Sequence, residues 1–352
     1  MELLDFLGQA VEKGASDLFI IAGSPVCMKL DNKLCPIGGD RLLPENCEKL
    51  IGDLYTQANR TMDIYLGKGD DDFSLTVPGM ARFRVNTYRQ RSSMAAVIRV
   101  VAFGIPDWQT LGIPAQVMNL AKVRHGMILV TGTAGSGKST TQACIIDRIN
   151  QTRDCHIITM ENPIEYLHRN VKSIVSQREV TIDTKDYLSG LRACLRQAPD
   201  VILLGEMRDH ETIQTAMTAA ETGHLIIATL HTQGAVNTID RIVDSFPSTQ
   251  QAQVRIQLSS VLNTVVSQQL LPATDGGLVA AFEVMDVDSG GIRAMIRDSK
   301  SHMIDNAIAS GNKEVMFSMD DSILNLYKAG KITRETALGA AANKGTLERR
   351  MG

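Results

Sequence analysis

The sequence predicts an α/β chain in two parts. An α+β module covers residues 1–104, a linker covers 105–116, and a parallel-sheet domain covers 117–352, its end helical from about residue 286. Three observations predict this. From about residue 117, short apolar runs without polar alternation (MILVT, HIITM, VILLG, LIIATL) alternate with helical stretches, as strands buried on both faces under helices do. Before that, one helical segment leads into several antiparallel-looking strands, the order of an α+β unit. Between the first buried run and its helix lies a turn rich in glycine. A length of 352 residues also suits about two domains.

Leu3, Leu4, Leu7 and Val11 recur at helical spacing and predict an opening helix. DLFIIAG and VCMKLDNKLCPI read as strands, the second folded at a turn over Asp31-Asn32. LPENCEKLIGDLYT reads as a helix with Pro44 near its start, where a missing N–H is harmless. DFSLTV, ARFRVNTYRQR and SSMAAVIRVV complete the module as strands. IPDWQTLGIP, with two prolines and the only tryptophan, reads as a linker ordered in part by Trp108. After the buried runs, a long helix is expected over 248–271, then a strand over 277–285, then helices with turns at Gly311 and Gly330.

Composition excludes several classes. Apolar residues make up 44% and charged residues 21%, which rules out a disordered or fibrous chain. Lys plus Arg is 36 against 39 Asp plus Glu, a net charge of -3, and aromatics are 4%. Neither figure supports a nucleic-acid binder held by overall charge or by base stacking. The six cysteines form no CxxC pair, so a zinc ribbon is not expected and reduced thiols are. The N-terminal MELLDFLGQAVEKG has no basic segment of the signal-peptide kind. No apolar run approaches the ~18–20 residues of a membrane span. A cytoplasmic location is the expectation.

The chemistry begins at MILVTGTAGSGKSTT, residues 127–141. It fits GxxxxGK[ST] with a strand before and a helix after. Glycines let the backbone curl until several N–H groups face one anion, and the following helix adds its positive end. Lys138 reaches the β/γ-phosphates and the Ser139 hydroxyl ligates Mg²⁺. A nucleoside triphosphate is the predicted ligand.

Splitting a triphosphate also needs a group that positions water and charge beside the metal. Glu161 and Glu165 in TMENPIEYLH and Glu206 in VILLGEMRD follow buried strands at their carboxyl ends, where ligands bind in such sheets. Taken singly, the ordinary reading of each is a solvated surface acid; placement just after a buried strand, in a chain with a phosphate loop, is what raises them. A phosphate-loop ATPase ordinarily carries Asp at the end of its second signature strand; here that place is Gly205 and the acid is Glu206. A lone His is ordinarily a structural residue; His231, after LIIATL, reads either so or as a γ-phosphate sensor, whereas His224 at the other end suits a structural or interface role. Arg82 and Arg84 share one face of a strand and Arg99 lies on the next. They read either as a solvated basic strand or as arginine fingers for transition-state charge.

With these residues in place the chain resembles the secretion-ATPase superfamily, and within it the type IV pilus retraction ATPases. The resemblance runs through GASDLFIIAGSPVCMKLD, ARFRVN, GTAGSGKST, ITMENPIEY, LLGEMRD, TAAETGHLIIATLHT, NTIDRIVDSFP, VVSQQLL and GIRAMIRD. It implies a PAS-like N-terminal domain, a RecA-like ATPase domain, and a homohexameric ring. It also implies ATP hydrolysis with Mg²⁺ that drives pilus retraction. The ATP-binding residues would be Gly132, Thr133, Ala134, Gly135, Ser136, Gly137, Lys138, Ser139 and Thr140. Glu165 would be the catalytic glutamate. Glu206 would sit near Mg²⁺ with Ser139, in part through water. His224 and His231 would form the histidine motif, and Arg82, Arg84 and Arg99 the arginines offered to ATP. Arg293 and Arg297 belong to the C-terminal motif. The implied partner is an inner-membrane pilus platform protein, met at the inner face of the cytoplasmic membrane, and not nucleic acid. Two departures stand out: the usual EDP is Glu161-Asn162-Pro163, and the usual AIRNLIRE is GIRAMIRD. The alternatives are a pilus-assembly or type II secretion ATPase, a low-turnover nucleotide-binding partner of a pilus motor, and a DNA motor.

Overall fold

A computed structural model describes residues 2–30, 33–101 and 104–352. The turn expected at Asp31-Asn32 lies outside the described residues. The chain divides into two units, residues 1–104 and 105–352.

In the first unit α1 (Leu3–Glu12) precedes β1 (Asp17–Ile21), β2 (Cys27–Leu30) and β3 (Lys33–Pro36). Then come α2 (Pro44–Gln57), α3 (Asp63–Lys68), β4 (Asp70–Val77), β5 (Ala81–Gln90) and β6 (Ser93–Val101). The strands form one antiparallel sheet in the order β3-β2-β1-β6-β5-β4. Leu3, Phe6, Leu7 and Ala10 form the buried stripe of α1, one residue each three or four apart. The expected Leu4 is off that stripe and exposed. Alternation on β5 buries Ala81, Phe83 and Val85 and turns Arg82 and Arg84 to the opposite face. Helix α3, which sequence spacing did not announce, buries Tyr65 and ends on Gly69.

In the second unit Ile105 and Trp108 pack on the core and Ile113 is buried in it. After α4 (Ala115–Asn119) come β7 (Gly126–Thr131), α5 (Lys138–Thr152), β8 (His156–Glu161), β9 (Ile174–Glu179) and α6 (Tyr187–Cys194). Next are β10 (Val201–Leu204), α7 (His210–Glu221), β11 (Leu225–Leu230), α8 (Ala235–Asp244), α9 (Gln251–Val261), β12 (Leu262–Pro272) and β13 (Leu278–Asp286). The tail is helical: α10 (Ile292–Arg297), α11 (Ile304–Ser310), α12 (Met319–Lys328), α13 (Arg334–Ala340) and α14 (Lys344–Met351).

The sheet order is β13-β12-β7-β11-β10-β8-β9, parallel except for β13. Every residue of β7, β10 and β11 is buried, which is why these runs show no alternation. One cluster lies on each side of this sheet, and α12 to α14 add a third around Ile323, Ala337 and Leu347.

The long helix expected over 248–271 is wrong. α9 ends at Val261, and Leu262–Pro272 is a strand paired in parallel with β7 and antiparallel with β13. Burial on both faces removes the polar alternation that would have marked it, and the β-branched run Thr264-Val265-Val266 was its remaining signal.

Phe282 of β13 is buried to 1% exposure in the cluster beneath β7 and β12. Phe282→Ala is expected to cost about 3–5 kcal/mol. Thermal unfolding of the full chain should show the second unit's transition lowered by about 10 °C.

Candidate functional site

Four loops leave the carboxyl ends of β7, β8, β10 and β11, and they surround a cavity of about 390 Å³. The first loop runs Gly132–Gly137 into α5. Gly132 and Gly137 have φ of +146° and +87°, and both lie hard against β12. A Cβ on Gly132 would stand 2.4 Å from the Gln268 carbonyl oxygen, and one on Gly137 would stand 2.7 Å from Gln268 Nε2. Glycine is therefore required twice, for backbone conformation and for space. Gln268 also accepts a hydrogen bond from Thr141 Oγ1 at 2.7 Å, which ties the first turn of α5 to β12.

Lys138 is 8% exposed, and its Nζ donates to the carbonyl oxygens of Gly132 (2.9 Å) and Thr133 (2.8 Å). Burial lowers its pKa, while the carboxylates of Glu206 and Glu165 act in the opposite direction. Ser139 and Thr140 line the same cavity, and Thr140 Oγ1 hydrogen-bonds Tyr166 Oη at 2.8 Å. The start of α5 is thereby joined to the loop that follows β8.

That loop carries Glu161, at the end of β8, and Glu165, which is exposed; both line the cavity. Glu161 Oε1 accepts from Thr159 Oγ1 (2.7 Å) and from Gln177 Nε2 (3.2 Å). Removal from water pushes its pKa up to about 7, and the nearby Glu165 adds to the rise against those two hydrogen bonds. Glu206 leaves β10 after Gly205, whose carbonyl accepts from Thr229 Oγ1 at 2.5 Å. Glu206 pairs with Arg208 at 2.8 Å and with His231 Nε2 at 3.4 Å. Burial alone would raise the Glu206 pKa, but Arg208 and His231 outweigh it and the net shift is downward.

The structure thus brings Ala134 to Thr140 of the phosphate loop, Glu161, Glu165, Glu206 and His231 to one cavity, while Gly132 and Thr133 meet it through their carbonyl bonds to Lys138. His224 is elsewhere, at the opposite end of β11, where its Nδ1 sits 2.9 Å from the Ala219 carbonyl oxygen at the end of α7. Arg82, Arg84 and Arg99 belong to the first unit. Arg84 and Arg99 are cross-strand partners, held to Asp72 (2.6 Å) and Asp17 (3.0 Å), and Arg82 donates to Thr76 Oγ1 at 3.4 Å. Arg293 caps α9 by donating to the carbonyls of Ser259 and Ser260, and it pairs with Asp288. Arg297 pairs with Asp298 at 3.0 Å.

Sequence spacing missed Gln142, His168, Tyr187 and Thr229, all of which line the cavity. Burial lowers the His168 pKa to about 4 and raises that of Tyr187. Tyr187 lies on α6, far from the motifs along the chain, and only the fold brings it there.

Among the described residues, no cluster of three or more acidic, histidine or cysteine groups forms a metal cage. Mg²⁺ does not need one, since it keeps waters and takes substrate phosphate oxygens with one or two protein ligands. Ser139 and Glu206, on one cavity wall each, fit that demand.

A glycine loop on a buried parallel strand, with an ammonium facing carboxylates at the carboxyl ends of its neighbours, defines the class: a phosphate-loop nucleotide-binding protein. Residues 3–327 match the family described as Type II/IV secretion system protein, and the chain belongs to that family. It is 41% identical to the type IV pilus retraction ATPase PilT of Pseudomonas aeruginosa over 96% of this chain and 97% of that one. It is 37% identical to the type IV pilus ATPase PilU of the same organism, covering 99% of this chain and 90% of that one. The fold matches the crystal structure of the pilus retraction motor PilT with bound ADP at a TM-score of 0.91, with 44% identity and 99% coverage of both chains. It matches the Legionella pneumophila ATPase DotB at 0.80, with 26% identity, covering 96% of this chain and 95% of that one. No helix among the described residues is long and apolar enough to cross a membrane.

Glu161 makes stability depend on pH. Its ordinary value is 4.5 and its folded value about 7. Between those values the folded state keeps a proton that the unfolded chain has released, so Glu161 subtracts stability as the pH rises through the window. Glu161→Gln removes this penalty and keeps an acceptor for Thr159. Thermal melts should coincide at about pH 4 and separate by about pH 8, with the variant melting higher. A variant that melts lower at the higher pH contradicts the assignment.

Proposed function

We propose that the protein hydrolyses ATP as a ring-forming motor that withdraws type IV pilus subunits from the fibre base. One observation carries the reading: Lys138 and the glycine loop face Glu165 and Glu206 across a single cavity. The names of the relatives at 41% and 37% identity support the pilus context.

Lys138 exchanges its bonds to the Gly132 and Thr133 carbonyls for phosphate oxygens. The loop N–H groups and the start of α5 hold the rest of the phosphate tail. Ser139 and Glu206 would hold Mg²⁺, which would supply positive charge beside the phosphate tail. Glu165 orients a water for in-line attack on the γ-phosphorus. The bond from that phosphorus to the β–γ bridging oxygen breaks, and the water's proton passes by way of Glu165 to the phosphate released. His231, hydrogen-bonded to Glu206, reports the γ-phosphate state to the loop that starts α8. Arg82, Arg84 and Arg99 supply positive charge for the transition state. Six copies form the working ring, which acts against a platform protein at the cytoplasmic face of the membrane.

The test is Glu165→Gln. Steady-state phosphate release should fall by about 10²–10⁴-fold while a fluorescent ATP analogue still binds. Cells carrying only this variant should bear longer or more numerous fibres. Turnover at the parent rate removes Glu165 from its role, and bald cells replace retraction with assembly.

A further inference from the structure

Strand β9 takes no part in the phosphate loop, yet its residues fasten the loop that carries Glu165. Gln177 and Glu179, two apart on β9, project to the same side. Gln177 Nε2 donates to the carbonyl oxygen of Tyr166 at 2.8 Å, and its Oε1 accepts from the backbone N–H of His168 at 2.8 Å. The same Nε2 also reaches Glu161 Oε1 at 3.2 Å. Glu179 is 4% exposed, and its Oε2 accepts from the backbone N–H of Ile164 at 3.2 Å. Backbone groups at 164, 166 and 168 are therefore held by side chains of one neighbouring strand, and Glu165 sits inside the pinned stretch. The side chains that alternate with them bond elsewhere: Ser176 meets the His156 ring at 3.0 Å, and Arg178 donates to the Asp183 carbonyl oxygen at 2.9 Å.

We infer that Gln177, supported by Glu179, is a positioning residue that fixes the 162–168 loop so that Glu165 meets the γ-phosphate side of the cavity. A carboxylate on an exposed loop would otherwise sample many orientations. Fixing the backbone on both sides removes most of that freedom before nucleotide arrives. Gln177 is suited because one amide both donates and accepts, and this loop needs both. Its donation to Glu161 also ties the end of β8 to the same clamp. The inference rests on Glu165 as the residue that orients water.

The experiment compares Gln177→Met, Ser176→Ala and Glu165→Gln in the full chain, reading steady-state phosphate release, affinity for a fluorescent ADP analogue, and melting temperature. Methionine keeps length and bulk but neither donates nor accepts as an amide does. Gln177→Met is expected to lower kcat by about 10- to 100-fold, with nucleotide affinity within about twofold of the parent. Ser176→Ala, on the same edge strand, should keep the parent kcat. Gln177→Met at the parent kcat overturns the inference. So does a loss of nucleotide affinity in step with kcat, because the clamp would then serve the whole cavity and not Glu165. Loss of kcat in Ser176→Ala as well overturns it too, since any weakening of β9 would then suffice. If Glu165→Gln itself keeps turnover, the reading of Glu165 falls first; if only Gln177→Met keeps it, the loss is confined to this inference.

Discussion

A half-neutralised cluster of charge governs the second unit. The buried ammonium of Lys138 lies among backbone carbonyls with Glu165 and Glu206 acting on it from across the cavity. A cation removed from water is costly unless other groups replace its hydration. The wholly buried strands β7, β10 and β11 supply the rigidity for that replacement, since their loop ends cannot drift apart. A phosphate tail offers the ammonium better partners than the loop carbonyls do, so the site is built to exchange one set for the other.

The carboxylates around it are separated by environment. Glu206 is held low by Arg208 and His231 against the effect of burial, which favours its anionic form. Glu161 is pushed up by burial and sits in a hydrogen-bonded recess with Thr159 and Gln177. Glu165 faces the cavity on a loop tied back to β9. Glu161 and Glu206 thus hold opposite protonation tendencies within one cavity, which is how environment sets acids of one residue type apart.

Much of this was legible in the sequence because phosphate binding needs consecutive residues. GTAGSGKST carries its glycine turns, its cation and its hydroxyl side chains in one segment. The buried strands before Glu161, Glu206 and His231 were legible from unbroken apolar runs. What stayed hidden was formed by pairing between distant segments. β12 lost its alternation to burial on both faces, and Gln268 beneath the glycine loop was hidden with it. β9 is a short edge strand, IVSQRE, apolar only at its first two residues, so the holding role of Gln177 is visible only in three dimensions. Arg293 carried a motif but not its contact: it caps α9 from a helix more than thirty residues later.

The central claim is that the phosphate tail, and not the base or sugar, supplies the grip. Calorimetric titration of the full chain with ADP and with adenosine, in the presence of Mg²⁺, tests it most directly. The account predicts that adenosine binds at least about 100-fold more weakly, a difference of about 2.7 kcal/mol. Equal affinity for the two would contradict it.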